Sequence, residues 1–215
     1  MEEQKQIIEK IIRLRLAQIL VNDRYKNGDF KIPIHLALGH ESLAVAVDAS
    51  MMDNDHLLLT HRNIHYNLAR IDTLKDEIDE YYLKVEGVAS GHLGSMNLSN
   101  PDRNIVYSSS ILGNNLPVST GFALGNTLNN NSGVTFVVTG DGAIEEGAFY
   151  ESLIFMKSNN LSTIIINENN NYSLGTKIDE RRCKIDLSKI ASSIDVEHIQ
   201  LSGNDPFKYI ETITA

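Results

Sequence analysis

Two clusters of polar residues follow two predicted strands, and their chemistry suits a bound cation. Gly140-Asp141-Gly142-Ala143 ends the apolar run at 134–139, and Asn169-Asn170 ends a strand predicted over 162–169. The 26 residues between Gly142 and Asn169 leave room for one helix and one strand, which is a right-handed crossover between parallel neighbours. Both clusters should therefore meet at the carboxyl edge of one sheet, where ligands of open α/β sheets bind.

The oxygen atoms of these clusters are the ligands of a hard cation. A carboxylate, an amide oxygen and a backbone carbonyl suit magnesium or calcium and do not suit zinc. Three protein ligands leave an octahedral magnesium ion short of partners, and phosphate oxygens commonly supply the rest. The N–H groups of Gly142 and Ala143, at the start of the next helix, would hold that phosphate.

A competing interpretation treats each cluster as an ordinary turn. Gly-Asp-Gly is common where a strand leads into a helix, and asparagine fills turns throughout this chain, at Asn129–Asn131, Asn159-Asn160 and Asn169–Asn171. Asn159-Asn160 precedes a predicted strand, whereas Asn169-Asn170 follows one. Only the second pair lies at the edge where Asp141 is expected, so spacing and topology together favour a site.

The apolar patterns predict short buried strands that alternate with helices. Predicted helices cover 3–26, 38–52, 65–71, 74–85, 116–128, 143–160 and a segment from 206 onward, and predicted strands cover 56–60, 104–109, 134–139, 162–169 and 195–203. This order predicts an α/β fold, a parallel sheet covered by helices on both faces, in one domain over 1–215 with an N-terminal helix. The small residues of 38–52 and 116–128 favour close packing against another helix or chain.

Composition excludes several classes of protein. The chain has 215 residues and a net charge of −9, which disfavours binding to nucleic acid. It contains no apolar run long enough to cross a bilayer, so we expect no membrane contact. A single cysteine, Cys183, excludes an internal disulfide framework and fits a reducing compartment. We therefore expect a cytoplasmic protein.

The motifs together resemble a known family. GDGAIEEGAFYESL, followed by IIINENNNYSLGT, is similar to the thiamine-diphosphate signature in the alpha subunit of the decarboxylating component of 2-oxo acid dehydrogenases, of the pyruvate and acetoin type. Five other segments resemble that family in the same order: HLALGHESLAVAV, LLLTHRNIH, GHLGSMNL, ILGNNLPVSTGFALG and VEHIQLSGNDP. The resemblance covers nearly the whole chain and implies the thiamine-diphosphate-binding fold, in its diphosphate-binding form.

The resemblance implies two cofactors, thiamine diphosphate and Mg²⁺, and assigns residues to each. Asp141 and Asn170 would bind the metal through their side chains, and Tyr172 through its carbonyl. The residues implied to contact the organic cofactor are Arg62, Ser110, Leu112, Gly140, Asp141, Gly142, Ala143 and Asn170. Within that set, Arg62 suits the diphosphate because guanidinium matches phosphate geometry, and Ser110 and Leu112 would contact the aminopyrimidine ring through their backbones.

Catalysis and assembly also follow from the resemblance. Its catalytic candidates are His35, His61 and His65, although a single histidine is more often structural. The family implies a beta-type, pyrimidine-binding partner chain that supplies an activating glutamate, in an α2β2 heterotetramer. The substrate would be a small 2-oxo acid, which undergoes decarboxylation and acyl transfer. Helices 38–52 and 116–128 are the expected interface, and Glu145-Glu146 is expected to be a solvated pair favoured by the helix dipole.

Several positions depart from the family pattern. Leu93 replaces a glycine and Asn97 a histidine, and Ile64 stands where the family has a histidine, with His65 one place late. The family's later histidine-bearing loop has no counterpart within these residues. These departures weaken the case for transfer to lipoamide and keep three alternatives open. The chain could be the N-terminal half of a split transketolase, a subunit of a 2-oxo acid decarboxylase or carboligase, or a non-catalytic subunit that binds a partner.

Overall fold

The computed structural model describes residues 2–71 and 73–215. In chain order its helices and strands are α1 (Glu2–Lys26), α2 (Glu41–Ser50), β1 (His56–Thr60), α3 (Ile64–Arg70), α4 (Lys75–Tyr81), β2 (Ile105–Ser109), α5 (Asn115–Leu128), β3 (Thr135–Gly140), α6 (Gly147–Ser158), β4 (Thr163–Glu168), β5 (Tyr172–Ser173), β6 (Thr176–Lys177), α7 (Ile178–Arg181), α8 (Leu187–Ser193) and α9 (Pro206–Thr214). Short 3-10 turns cover Pro101–Arg103 and Ala143–Glu145.

The chain divides into two compact units. Unit 1 comprises Met1–Met52, His61–Ser110 and Ser202–Ala215, and unit 2 comprises Asp53–Thr60 and Ile111–Leu201. The expected single domain over 1–215 stays a prediction. None of the helices formed by the described residues combines the length and the apolar composition that crossing a bilayer requires.

Unit 1 is built around α2. The small apolar residues Ala44–Val47 are fully buried, and α2 packs against α1, α3 and α9. Small side chains let these helices approach closely, which explains why the sequence places alanine and valine there. The small residues of α2 thus pack against other helices, which is one of the two alternatives predicted for them, and the interface role of 38–52 stays a prediction.

Unit 2 contains the parallel sheet predicted from the sequence. β3 lies between β1 and β4 and is parallel to both, with Leu57 opposite Phe136 and Val137 opposite Ile165. Phe136, Val137 and Val138 are buried, as expected for a strand covered on both faces. α5 packs against β3, β1 and α6. The predicted α/β class, a parallel sheet flanked by helices, is confirmed.

Two predicted elements are wrong. The single helix expected over 143–160 is a 3-10 turn followed by α6, because Glu146 between them is extended, with ψ 140°. Gly147 follows it and is a poor helix-interior residue, which favours a fresh helix start there. The strand expected over 195–203 does not form among the described residues. Asp195, at the start of this segment, has a left-handed φ of 55°, which does not belong to an extended strand.

Candidate functional site

The polar ends of β3 and β4 lie side by side in unit 2. Gly140 is the register partner of Glu168, and the backbone N–H of Asp141 donates to the Glu168 carbonyl at 3.1 Å. The Asp141 side chain is only 4% exposed. The sequence prediction that the two polar clusters follow adjacent parallel strands is confirmed.

The Asp141 carboxylate is paired with an arginine that sequence reasoning missed. Arg181 places Nη2 at 2.6 Å from Asp141 Oδ2 and Nη1 at 2.5 Å from Glu145 Oε1. Arg182 adds a second contact to Glu145 Oε1, at 2.9 Å from its Nε. We call these four residues the Asp141 network. Its two carboxylates and two guanidinium groups balance in charge.

Glu145 therefore has a different environment from the one expected. We predicted a solvated Glu145-Glu146 pair, but Glu145 accepts hydrogen bonds from both arginines. Both glutamates lie at the exposed surface, as expected, but the Glu145 side chain is held by these ion pairs and is 26% exposed. The sequence did not reveal the ion pairs of Glu145, because the β5–β6 hairpin and α7 bring the two arginines back to the end of β3 through tertiary contacts.

Gly142 is needed because other groups approach its backbone closely. A Cβ atom at this position would lie 3.0 Å from Ser173 Oγ and 3.2 Å from Arg181 Nη1. Ala143, the next residue, is buried and begins the 3-10 turn. The turn is therefore compact, and a side chain at position 142 would require Ser173 or Arg181 to shift by a few tenths of an ångström.

Asn170 and Tyr172 follow β4 in a tight turn. Asn170 Oδ1 accepts a hydrogen bond from the Tyr172 backbone N–H at 2.9 Å, and Asn169 Oδ1 accepts one from Asn171 at 2.9 Å. Asn171 adopts a left-handed φ of 65°, which asparagine tolerates well. Tyr172 is 46% exposed. The amide oxygen and the tyrosine carbonyl are thus held in one local loop at the end of the strand next to β3.

These donors fit a hard divalent cation. A buried carboxylate at the end of β3 and an amide oxygen and a carbonyl after β4 are all oxygen ligands. The Asp141 carboxylate is already matched by a positive group, the Arg181 guanidinium. The position beside Asp141 therefore tolerates, and in this structure contains, a cationic group.

The histidine candidates lie in unit 1. The rings of His35 and His61 meet edge to face, with centroids 4.8 Å apart. Burial, with the nearby His35 and Arg62, lowers the pKa of His61 to about 4, and burial and Arg62 also lower the pKa of His35. Both imidazoles are therefore neutral at neutral pH. A small cavity beside them is lined by Ile34, His35, His61, Asn63, Ile64, Tyr81 and Ser95.

The other predicted site residues outside the Asp141 turn are His65, Arg62, Ser110 and Leu112, and each has a different environment. His65 is fully buried and its ring packs against Tyr66, with centroids 4.2 Å apart. Arg62 donates a hydrogen bond to the Leu36 carbonyl. The backbone N–H of Ser110 donates to Asn97 Oδ1 at 3.0 Å, so the asparagine that replaces a family histidine supports Ser110. Leu112, in unit 2, is 42% exposed.

A second residue missed from the sequence is Glu80, at the end of α4. Its fully buried carboxylate accepts four backbone N–H groups at 2.8–3.0 Å, from Ala89, Gly91, Leu93 and Gly94. Burial alone would raise the pKa of Glu80, but these donors outweigh it and the pKa is lowered. We call this arrangement the Glu80 clamp, and it fixes the loop that contains the GHLGSMN segment. A glutamate before a glycine- and serine-rich loop gives no distinctive sequence signal.

The parallel sheet, with a glycine–aspartate turn after one strand and an asparagine turn after its neighbour, defines an α/β fold of the thiamine-diphosphate-binding type. The family described as "Dehydrogenase E1 component" matches residues 14–213, and the chain belongs to this family.

Comparison with known proteins agrees with this membership. The chain is 28% identical over 205 residues to the pyruvate dehydrogenase E1 component subunit alpha of Rickettsia bellii, covering 95% of this chain and 63% of that protein. It is 26% identical over 197 residues to the alpha subunit of acetoin:2,6-dichlorophenolindophenol oxidoreductase from Bacillus subtilis, covering 92% and 59%. A mitochondrial pyruvate dehydrogenase E1 alpha subunit from Arabidopsis thaliana is 29% identical over 175 residues, covering 81% and 44%. The chain thus spans less than two thirds of the length of these relatives.

Proposed function

We propose that this chain is the alpha-type subunit of a thiamine-diphosphate-dependent enzyme that decarboxylates a small 2-oxo acid and transfers the acyl unit. The observation that carries the proposal is the buried Asp141 carboxylate beside the asparagine turn of β4, in a chain of the dehydrogenase E1 component family. The names of the relatives, a pyruvate dehydrogenase E1 component subunit alpha and an acetoin oxidoreductase subunit alpha, support the substrate class. The family match favours this function over a split transketolase.

In this proposal, Mg²⁺ is held by Asp141, Asn170 and the Tyr172 carbonyl. For Asp141 to bind the ion, its carboxylate must share or exchange the Arg181 contact, whose two atoms are 2.6 Å apart. For Asn170 to bind, its amide oxygen must share or exchange the Tyr172 N–H. Both exchanges involve one side chain each and leave the strands in place, so the fold can accept the ion without rearranging the sheet.

The diphosphate group would lie against the turn after Gly140. Gly142 and Ala143 would donate backbone N–H groups to it. Gly142 has no side chain, but the side chains of Ser173 and Arg181 lie close to it and would move aside to admit the phosphate. Arg181 and Arg182 add positive charge next to this turn. Arg62, Ser110 and Leu112 stay the further cofactor contacts that the family resemblance implies. When bound, thiamine diphosphate supplies the electron sink for decarboxylation, and the protein supplies position and electrostatics.

His35 and His61 are proposed to act as neutral groups. Because burial keeps their pKa values low, each imidazole can accept or donate a hydrogen bond without adding positive charge. They would orient substrate or hold a proton at one ring nitrogen. His65 is fully buried, so its proposed contribution is to support its neighbours from inside unit 1.

The proposal includes a beta-type partner chain and an α2β2 assembly, because the activating glutamate is expected from that partner. A cytoplasmic location belongs to the same proposal. To test the function, the chain is purified with its co-purifying partner and supplied with thiamine diphosphate, Mg²⁺ and a panel of 2-oxo acids. Carbon dioxide release should require both chains and both cofactors.

The outcomes separate the alternatives. Carbon dioxide release by the pure chain would contradict the need for a partner. Cofactor binding by the two-chain complex without release from any 2-oxo acid would instead indicate a non-catalytic subunit. Product formation without any lipoyl-bearing acceptor would favour a decarboxylase or carboligase over a dehydrogenase.

A further inference from the structure

Unit 1 contains a cavity whose lining is predominantly basic. Its volume is about 230 Å³, and it is lined by five charged side chains, which are Lys10, Arg13, Arg70, Arg103 and Asp48. We call it the basic cavity. The described residues that line it include none of those proposed above to bind thiamine diphosphate, Mg²⁺ or substrate. It is therefore a candidate for a separate binding site.

The charge of this lining is opposite to the charge of the whole chain. The chain has a net charge of −9, whereas four cationic side chains and one carboxylate line the basic cavity. A concave surface lined mostly by one sign of charge concentrates the electric field and attracts ions of the opposite sign. The basic cavity should therefore attract anions, although the chain as a whole repels them.

Asp48 holds two of the cationic groups side by side. Its Oδ1 accepts a hydrogen bond from Arg70 Nη1 at 2.9 Å, and its Oδ2 is paired with Lys10 Nζ. The three side chains are 14–29% exposed, so they are partly withdrawn from solvent. Because water screens partly buried charges less, Lys10 and Arg70 would interact more strongly with an anion than fully exposed residues do.

Lys10 and Arg70 both keep hydrogen-bond donors for a ligand. Arg70 Nε donates to the Arg103 carbonyl at 2.7 Å, and Arg70 Nη1 donates to Asp48 and contacts Met51 Sδ. These bonds to described residues leave the two N–H groups of Nη2 for an anion. The Lys10 ammonium group has three N–H donors, of which Asp48 takes one.

The end of α3, which also borders the basic cavity, is covered by an arginine. The last carbonyl groups of a helix carry partial negative charge, which disfavours a nearby anion. Arg13 Nη2 donates to the Ile71 carbonyl at 2.9 Å and lies 3.4 Å from the Leu68 carbonyl. The guanidinium group therefore offsets the negative end of α3 at the cavity.

We propose that the basic cavity binds a small anion that carries phosphate groups. The planar fork of Arg70 matches two phosphate oxygens, and Lys10 adds a point charge beside it. One water occupies about 30 Å³ of liquid, and sites for drug-sized ligands measure about 300–1,000 Å³. A cavity of about 230 Å³ thus suits a compact anion of the size of inorganic pyrophosphate. The inference does not rest on the proposed enzymatic function.

The first test titrates inorganic pyrophosphate into the full chain by calorimetry, after chelation of divalent ions to prevent Mg²⁺-dependent binding at the Asp141 turn. Binding should be saturable. Lys10→Gln and Arg70→Gln should each weaken it by at least about tenfold, because each removes a charge-assisted contact. The matched control is Lys5→Gln, at an exposed lysine of the same helix that does not line the cavity. Circular dichroism checks that each variant is folded.

The second test separates anion binding from a purely structural role of these charges. Asp48→Asn removes the carboxylate of the lining with little change in shape, so pyrophosphate should bind roughly threefold to tenfold more tightly. A variant that only destabilised unit 1 would not bind more tightly. Asp141→Ala should bind pyrophosphate like the wild type, because Asp141 does not line the basic cavity.

The third test identifies the chemical class of the ligand. Citrate has a charge similar to that of pyrophosphate at neutral pH, but it is larger and has carboxylates in place of phosphate groups. It should bind at least about fivefold more weakly than pyrophosphate, because the cavity suits a compact anion. Inorganic phosphate should also bind more weakly, since it carries less charge.

Several results would overturn the proposal. The wild-type chain could show no saturable binding of pyrophosphate, or Lys5→Gln could weaken binding as much as Lys10→Gln does. Weaker binding by Asp48→Asn would contradict the assignment of Lys10 and Arg70 as the anion contacts. Equal affinity for citrate and pyrophosphate would contradict the preference for phosphate groups, and loss of binding in Asp141→Ala would assign the anion to the turn after β3.

Discussion

Asp141 in unit 2 and Glu80 in unit 1 are both buried carboxylates beside glycine-containing loops, but their charges are balanced differently. Asp141 faces the side chain of Arg181, which comes from α7, forty residues further along the chain. Glu80 accepts four backbone N–H groups from the loop that follows its own helix. The charge of Asp141 is matched by one side chain, which another cation could replace. The charge of Glu80 is matched by backbone N–H groups, whose positions are fixed by the conformation of the loop.

This difference separates a binding carboxylate from a structural one. A metal ion can replace a guanidinium beside Asp141 without breaking any backbone hydrogen bond within the loop. Nothing can replace the four donors around Glu80 unless the loop itself unfolds. We therefore expect Asp141 to control ligand binding and Glu80 to control stability. Glu77, a third buried carboxyl group of unit 1, has no cation beside it to match a negative charge and stays protonated at neutral pH, because burial raises its pKa to about 8.

The largest expected effect comes from removing the Glu80 clamp. Glu80→Ala should lower the free energy of unfolding by about 3–4 kcal/mol, because four buried N–H donors lose a charged acceptor. Chemical denaturation of the purified chain measures this change. Glu80→Gln should cost less, since one carbonyl oxygen remains, and exposed Glu86→Gln is the control. Since the folded pKa of Glu80 is lowered, its stabilisation should be present above its unfolded pKa and disappear as the pH falls through the folded value.

The second prediction concerns ligand binding. Asp141→Ala should reduce the Mg²⁺-dependent affinity for thiamine diphosphate by at least about 100-fold while the chain remains folded, because a metal ligand is lost. Titration calorimetry with the co-purifying partner present measures the affinity. The control is Asp179→Ala, an exposed aspartate of α7 in the same unit. Equal losses in both variants would contradict a specific role for Asp141.

The third prediction concerns the pH dependence of Glu77. Burial raises its pKa to about 8, against a weaker opposing hydrogen bond from Tyr81. The protonated form is therefore stabilised by folding. Its contribution to stability should be complete below the unfolded pKa and should decline as the pH rises through about 8. The slope should approach about 1.4 kcal/mol per pH unit between those values.

Glu77→Gln isolates this effect, since glutamine has no proton to lose. Its unfolding free energy should vary less between pH 5 and pH 8 than that of the wild type, and Glu86→Gln should retain the wild-type slope. An unchanged slope in Glu77→Gln would show that this carboxyl is not the group responsible.

The smallest expected effect tests whether Arg181 competes with the cation. Arg181→Ala should increase the stabilisation of the chain by Mg²⁺ alone, with a gain in affinity of roughly threefold to tenfold, because the competing positive charge is gone. Thermal unfolding with and without Mg²⁺ measures this. Arg182→Ala should change it less, since Arg182 contacts Glu145 and not Asp141. A smaller Mg²⁺ shift in Arg181→Ala would show that the arginine assists the ion.

The sequence predicted the sheet better than it predicted the loops. The apolar residues within 134–139 and 162–169 identified two neighbouring parallel strands, and their polar ends follow at the same edge of the sheet. The strand at 195–203 failed because a short apolar pattern cannot show whether a partner strand exists. The single helix predicted over 143–160 is interrupted at Glu146, whose backbone is extended. The helical pattern of the residues around it gave no sign of this break.

The surroundings of Asp141 and Glu80 could not be predicted from local sequence patterns, for a related reason. The pairing of Arg181 with Asp141 depends on the β5–β6 hairpin turning the chain back to the end of β3. The Glu80 clamp depends on a loop whose backbone passes very close to α4 and the residues after it. At Gly87 a Cβ atom would lie 2.5 Å from the backbone of Glu80, and at Gly91 it would lie 2.5 Å from the backbone of Leu83. Both arise from tertiary contacts and not from residue spacing.

The most direct test of the account is a titration of thiamine diphosphate into the chain and its co-purifying partner, with Mg²⁺ present and again after chelation of divalent ions. We predict saturable binding with Mg²⁺ and its loss on chelation, with Asp141→Ala behaving like the chelated wild type. Equal affinity with and without the metal would contradict the central claim that Asp141 and the asparagine turn of β4 form a metal–diphosphate site.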